Sequence, residues 1–188
     1  MRWMKSTGGF DETGPFFPCS WDAAVWTATS LAVGILIALA SILAINGFLL
    51  FSTAPSASGL CFLGSAATLC VVMALSQYGI TGYRIEPGAI VVVRRRGSVR
   101  IPSASIQALT LVEKGALDGT RRIYGTGWIF GNTDILAGPY WQRIQVYITR
   151  KESLVLIERA NDIPVLLSPD NPRAFIQTFH SARGTEQV

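Results

Sequence analysis

Arg94, Arg95, Arg96 and Arg100 form the densest group of ionisable side chains in the sequence. If the run is extended, Arg94 and Arg96 point one way and Arg95 the other, so only part of it can make one patch. The chemistry open to such a patch is attraction of anionic headgroups, worth about 1 kcal/mol per basic side chain at a membrane surface. Its structural alternative is to fix orientation and solvate a hairpin edge. Trp128, Phe130 and Trp141 are a second candidate group, in an aromatic-rich stretch over residues 124–141. Exposed Trp and Tyr serve as anchors at protein interfaces, whereas buried rings would fill a core or rest on headgroups.

Catalytic material is scarce. His180 is the single histidine, and Cys19, Cys61 and Cys70 all precede residue 79. Common zinc ligand sets and Cys-His nucleophile pairs therefore have nothing to draw on beyond that point, and no cofactor or metal is expected. Asp118, Asp134, Glu152, Glu158, Asp162 and Asp170 fall mostly in turn-like stretches or at a helix start. Gly125, Gly127 and Gly131 have a spacing that invites comparison with a dinucleotide loop, but Trp128, Ile129 and Phe130 make a poor first helical turn, and residues 132–138 read as a loop. Bends in a strand suit these glycines better. Nucleic-acid binding is not expected either, because the basic run is not interleaved with aromatic side chains.

The element that positions everything else is a stretch without Asp, Glu, Lys, Arg or His, residues 23–83. Roughly 20 apolar residues cross a hydrocarbon core as a helix, and the stretch is interrupted once, around Pro55 and its neighbouring hydroxyls. It predicts a two-helix transmembrane hairpin over residues 23–78, with spans at 23–51 and 59–78, behind a loop-like leader of residues 1–22. Gly34 and Ala38 suggest a close-packed seam between the helices. Asn46 is the one strongly polar side chain in the spans, either bonding across the hairpin or lying near the outer interface. Neither span holds an ionisable group, which argues against transport by this chain alone. The net charge is +4, and the arginines gather behind the second span while the turn is uncharged. Lys and Arg mark the cytoplasmic side, so the expected topology is a multi-pass inner-membrane protein with both termini cytoplasmic.

After Tyr78 the pattern shortens. Pro87-Gly88 is a turn, residues 89–94 are strongly β-branched, and short strands follow at 98–101, 105–112, 144–149, 154–158 and 163–167. Six or seven strands at this spacing predict a sandwich or partly open barrel. Asp170 or Asn171 with Pro172 then marks a helix start, with Phe175, Ile176 and Phe179 on one face.

Several strings give this silhouette a family likeness: Tyr83-Arg84-Ile85 before a hairpin, Val99-Arg100-Ile101-Pro102 leading to Ile106, Gly125-x-Gly127-x-x-x-Gly131, the run 144–149, and Leu167-Ser168-Pro169-Asp170-x-Pro172-x-x-Phe175-Ile176. With these, residues 79–182 resemble the bacterial pleckstrin-homology (PH) domain proteins that carry two spans ahead of the domain. The resemblance implies a mainly-β PH-like barrel of about seven antiparallel strands with a C-terminal α-helix over residues 79–188. It transfers no ligand-binding signature. The resulting expectation is a non-enzymatic, membrane-anchored adaptor that meets a protein partner or anionic lipid headgroups at the bilayer. The alternative is an accessory subunit of a membrane enzyme or transport complex.

Overall fold

Asp22 begins the first helix: its side chain accepts from the Val25 amide at 2.8 Å and satisfies one of the free amides of the first turn. The computed structural model describes residues 14–112, 115–125 and 129–185. Helix α1 is Ala23–Leu50 and helix α2 is Pro55–Ser76. Both are long and apolar enough to cross a membrane. Pro55 opens α2, so the proline and hydroxyls read as the break belong largely to the second helix, where a proline in the first turn has no amide to lose. At 1.5 Å per residue α1 is about 42 Å long and α2 about 33 Å. The excess lies at the start of α1, where Val25 and Thr29 are buried.

The seam between the helices is not at Gly34 and Ala38, which are both exposed. It runs through Ala40 and Gly47 on α1 and Ser58 on α2, all buried. The Ser58 hydroxyl donates to the Gly47 carbonyl at 2.7 Å, and a Cβ at Gly47 would meet the Phe62 ring at 3.2 Å and the Cys61 Cβ at 3.3 Å. Asn46 bonds within its own helix, its amide donating to the Ile42 carbonyl one turn back. Gly47→Leu is therefore expected to pry the helices apart and cost about 1–3 kcal/mol, while Gly34→Leu changes stability by less than about 0.5 kcal/mol. Denaturant titration in detergent micelles measures both.

Among the described residues, ten strands form two sheets. The first has the order β1 (Phe16–Pro18), β2 (Ile80–Glu86), β3 (Ala89–Arg94), β4 (Ser98–Pro102). The second has the order β5 (Ile106–Val112), β9 (Leu154–Arg159), β10 (Val165–Leu167), β8 (Ile144–Ile148), β7 (Asn132–Ala137), β6 (Arg121–Gly125). The terminal helix α3 is Pro172–Thr185, with the Asn171 side chain accepting from the Ala174 amide at 3.1 Å.

Three expectations change here. The leader is not all loop: β1 pairs antiparallel with β2, Phe17 opposite Tyr83 and Pro18 opposite Gly82. The chain thus runs down β1 into the hairpin and returns along β2, so the apolar hairpin is inserted between two adjacent strands of one sheet. Next, the barrel is open and not purely antiparallel. A single 3-10 turn, Ser103–Ser105, carries the chain from β4 to β5, with β4 paired to β3 and β5 to β9. Strand β10 inserts between β9 and β8 and runs parallel to β8. Last, residues 132–137 are a strand paired on both sides, not a loop. Asn132 and Asp134 alternate with Thr133 and Ile135 and face inward, which disguises the strand as a polar turn. Arg122 Nε meets the buried Asp134 carboxylate at 2.7 Å, the pairing a buried charge requires.

The centre of the second sheet, strands β8, β9 and β10, is buried on both faces, whereas β6 at its edge is exposed. Val155, Ile157, Val165 and Leu167 join Tyr83, Ile90, Phe175 and Phe179 in the core beneath the first sheet and α3. Leu154, Leu156, Leu166 and Val146 face the other way, where Leu117 and Trp141 pack on them.

Candidate functional site

The arginine group is divided by the strands that carry it. Arg94, at the end of β3, is half-buried with its guanidinium 6.0 Å from the centre of the Tyr147 ring. Burial pushes the Tyr147 phenol up, and Arg94 opposes that shift. Arg100 lies across from Val91 in mid-strand and its Nη2 meets Oε2 of the buried Glu86 at 3.1 Å. Arg95 and Arg96 remain exposed at the β3–β4 turn. Their backbone is tied to the end of the second helix, the Arg95 amide donating to the Gly79 carbonyl at 3.1 Å and the Arg96 amide to the Gln77 carbonyl at 3.0 Å. Two cations are thus fixed where α2 leaves the apolar hairpin. Gly97 makes the tight turn with φ at 78°, a conformation glycine adopts without strain.

The aromatic candidates also separate. Phe130, with φ at 58°, sits against the start of α1: its amide donates to the Thr29 hydroxyl at 2.9 Å and its ring stands edge-on to Trp21 at 6.2 Å. Trp21 in turn meets Trp26 at 5.4 Å. Trp141 lies beyond the other end of β7, packed half-buried on the second core cluster. Six strand residues, about 20 Å, intervene, so Phe130 and Trp141 do not share a surface. Trp128 lies outside the described residues.

The structure therefore assembles, around the junction of hairpin and domain, Arg95 and Arg96 on one side and Trp21, Trp26 and Phe130 against the first turns of α1. Trp26 and Thr29 escaped the sequence reading because they lie inside the apolar run. Only the uneven helix lengths hint that the first turns of α1 stand apart from the rest of the apolar hairpin.

The leader is sewn to the domain by polar groups. Ser20 donates from its amide and its hydroxyl to the Asp170 carboxylate at 2.8 and 2.9 Å, and Arg150 Nη1 pairs with the same carboxylate at 3.1 Å. The Thr149 hydroxyl donates to the Ser20 carbonyl at 2.8 Å. Cys19 is beside them, its thiol pushed up to about 11 chiefly by burial. It stays protonated near neutral pH, unlike a nucleophilic cysteine. Among the described residues no three or more His, Cys, Asp or Glu side chains gather as a metal site.

Comparison with known proteins gives one family match: residues 81–182 fit the model of a family described as bacterial PH domain. No curated protein and no solved structure matches. The matched segment begins after the hairpin and so omits β1.

Proposed function

The chain belongs to the bacterial PH domain family, and from that premise we propose that it is a non-enzymatic binding module held at the cytoplasmic face of a membrane. Arg95 and Arg96 take anionic lipid headgroups there, and the outward surface of the domain meets a protein partner. The observation that carries this reading is the pair of backbone bonds from Arg95 and Arg96 to the end of α2, which hold two exposed cations at the foot of a helix of membrane-spanning length.

Membrane insertion is supported by surface as well as length. The most apolar windows of α1 and α2 are only 11% and 6% buried within the protein. Apolar surface of that extent exposed to water is not a stable state for a soluble chain. The β1–β2 pairing supports a common side for the leader and the domain, because hydrogen-bonded neighbours cannot lie across a bilayer from each other. Cations behind α2 then favour the cytoplasmic side, in an inner membrane crossed twice. Trp21, Trp26 and Phe130 suit the headgroup layer, where amphipathic rings concentrate.

In nanodiscs, energy transfer from the tryptophans to dansyl-labelled phosphatidylglycerol is expected to exceed transfer to dansyl-labelled phosphatidylcholine. Replacing both arginines, Arg95→Gln with Arg96→Gln, should remove most of that preference. Two cations at about 1 kcal/mol each correspond to roughly thirtyfold in local enrichment at low salt, and added salt should erode it. An unchanged preference in the double variant, or an equal loss in Arg100→Gln, would sink the lipid assignment.

A further inference from the structure

The first sheet covers only part of the second. The core between them takes side chains from β5, β9 and β10 and, of β8, Tyr147, but none from β7 or β6. Past Tyr147 the same face of the second sheet continues uncovered. On β7 the residues turned that way are Thr133, Ile135 and Ala137, each half-buried. Strand register gives them neighbours: Tyr124 and Gln145 flank Ile135, Tyr147 lies beside Thr133, and Arg121 lies beside Ala137. Tyr124 is 77% exposed. Arg143, just ahead of β8, alternates onto the side of Gln145 and is exposed, as is Arg121.

Charge and shape restrict what covers this face. Asp134 is the single acid of β6, β7 and β8, and it points to the opposite face, where Arg122 holds it. Neither Arg121 nor Arg143 meets a carboxylate among the described residues. The face is therefore cationic at one end and offers Tyr124 and Ile135 at its middle. Three strands are about 10 Å across and 16–20 Å long, the footprint of one helix of about three turns, and a helix is a usual second layer on an open sheet. A second copy of this chain is a poor source, because α1, α2 and α3 contain no Asp or Glu and α3 carries Arg173 and Arg183. The bilayer is a poor source too, because β7 places Arg121 and Arg143 about 20 Å beyond the Phe130 end that meets α1. We propose that the uncovered face of β6, β7 and β8 docks an acidic amphipathic helix of a protein partner, its aliphatic side chains against Tyr124 and Ile135 and its carboxylates on Arg121 and Arg143. The inference rests on the binding-module reading for its protein partner and makes no use of Arg95 and Arg96.

The test uses the full chain in phosphatidylcholine nanodiscs and a fluorescein-labelled, side-chain-stapled helical peptide of about five turns, with leucines along one face and glutamates on both flanks. Its anisotropy, read against empty nanodiscs, is expected to saturate with a Kd below about 1 mM. A twin peptide with Lys for every Glu should bind at least about tenfold more weakly, since attraction at both arginines becomes repulsion. Tyr124→Glu should weaken binding roughly tenfold, and Arg121→Gln with Arg143→Gln roughly fivefold, as two exposed ion pairs allow. All three positions are exposed, so the melting transition should be kept in both variants. Arg95→Gln with Arg96→Gln should leave peptide binding unchanged. Absence of saturation above the empty nanodiscs, equal affinity of the Lys twin, or undiminished binding to either variant of the face would each overturn the proposal without bearing on the lipid contact. A loss in the Arg95, Arg96 variant would overturn it as well, by moving the peptide to the bilayer end of the domain.

Discussion

A polypeptide of residues 79–188 is expected to lose the native packing of the first sheet, and residues 14–20 joined to it by a short Gly-Ser bridge are expected to restore it. Pro18 and Gly82 face each other in the β1–β2 register, about 5 Å apart, so a short bridge in place of the hairpin closes the ladder. Without β1 the domain loses the Phe17 ring, which stands edge-on to Phe175 at 5.1 Å. It also loses the Pro15 carbonyl that accepts from the Ile85 amide at 3.2 Å and the Pro18 carbonyl that accepts from the Asp170 amide at 3.0 Å. The Thr149 hydroxyl loses the Ser20 carbonyl it bonds. Removing one packed phenyl ring costs about 3–5 kcal/mol, and each buried group left unmet costs about 1–3 kcal/mol more. Small domains have only about 5–15 kcal/mol in total. The expected result is a broad transition and strong dye binding for 79–188, against one cooperative transition for the bridged form. Equal melting midpoints would mean that β1 merely decorates the sheet. In the full chain, Gly82→Ala should act in the same direction, because its Cβ would lie 2.6 Å from the Phe17 carbonyl oxygen.

That dependence explains which parts of the molecule the sequence discloses. Strand β3 is visible because Ile90, Val91, Val92 and Val93 are consecutive and β-branched, and α3 because Pro172 and a capping Asn171 precede a periodic apolar face. Strand β1 has three residues, one of them proline, and nothing local distinguishes it from a loop. It exists because Tyr83 and Phe175, far along the chain, offer a surface to Phe17. Strand β7 is hidden for another reason: its first two inward positions are Asn132 and Asp134, the latter paired with Arg122 of β6, so the hydrophobic alternation that signals a strand is missing until Leu136. The arginines illustrate the same limit at the candidate site. Their number and their nearness to the second span are plain in the sequence. That Arg100 is taken by Glu86 and Arg94 by Tyr147, while Arg95 and Arg96 stay exposed at the end of α2, follows only from strand register.

Tyr83→Phe is expected to destabilise the domain by about 2–4 kcal/mol, although it removes one oxygen and leaves the ring in place. The Tyr83 hydroxyl donates to the Tyr147 carbonyl at 2.7 Å and accepts from the Ser168 amide at 3.0 Å. The Ser168 hydroxyl lies 3.2 Å away and accepts from the Thr149 amide at 2.9 Å. The Thr149 hydroxyl reaches the leader at Ser20. Tyr83 is wholly inaccessible to solvent, and burial raises its phenol far above the ordinary value, so it remains a neutral donor. Deleting the oxygen strands the Tyr147 carbonyl and the Ser168 amide where water does not reach, each at about 1–3 kcal/mol. Ser168→Ala should also destabilise, and the double variant should cost less than the sum, because both deletions disrupt the same network. Denaturant titration followed by tryptophan fluorescence measures all three, and an unchanged slope shows that the loss lies in the folded state. A loss below about 0.5 kcal/mol for Tyr83→Phe, typical of a surface change, would show that the network does not hold the sheets together. A loss of the expected size would tie β2, β8, the start of α3 and the leader to one buried hydroxyl. The grip of the domain on both ends of its hairpin would then be a property of the core, and the arginines at the foot of α2 would be held in place by it.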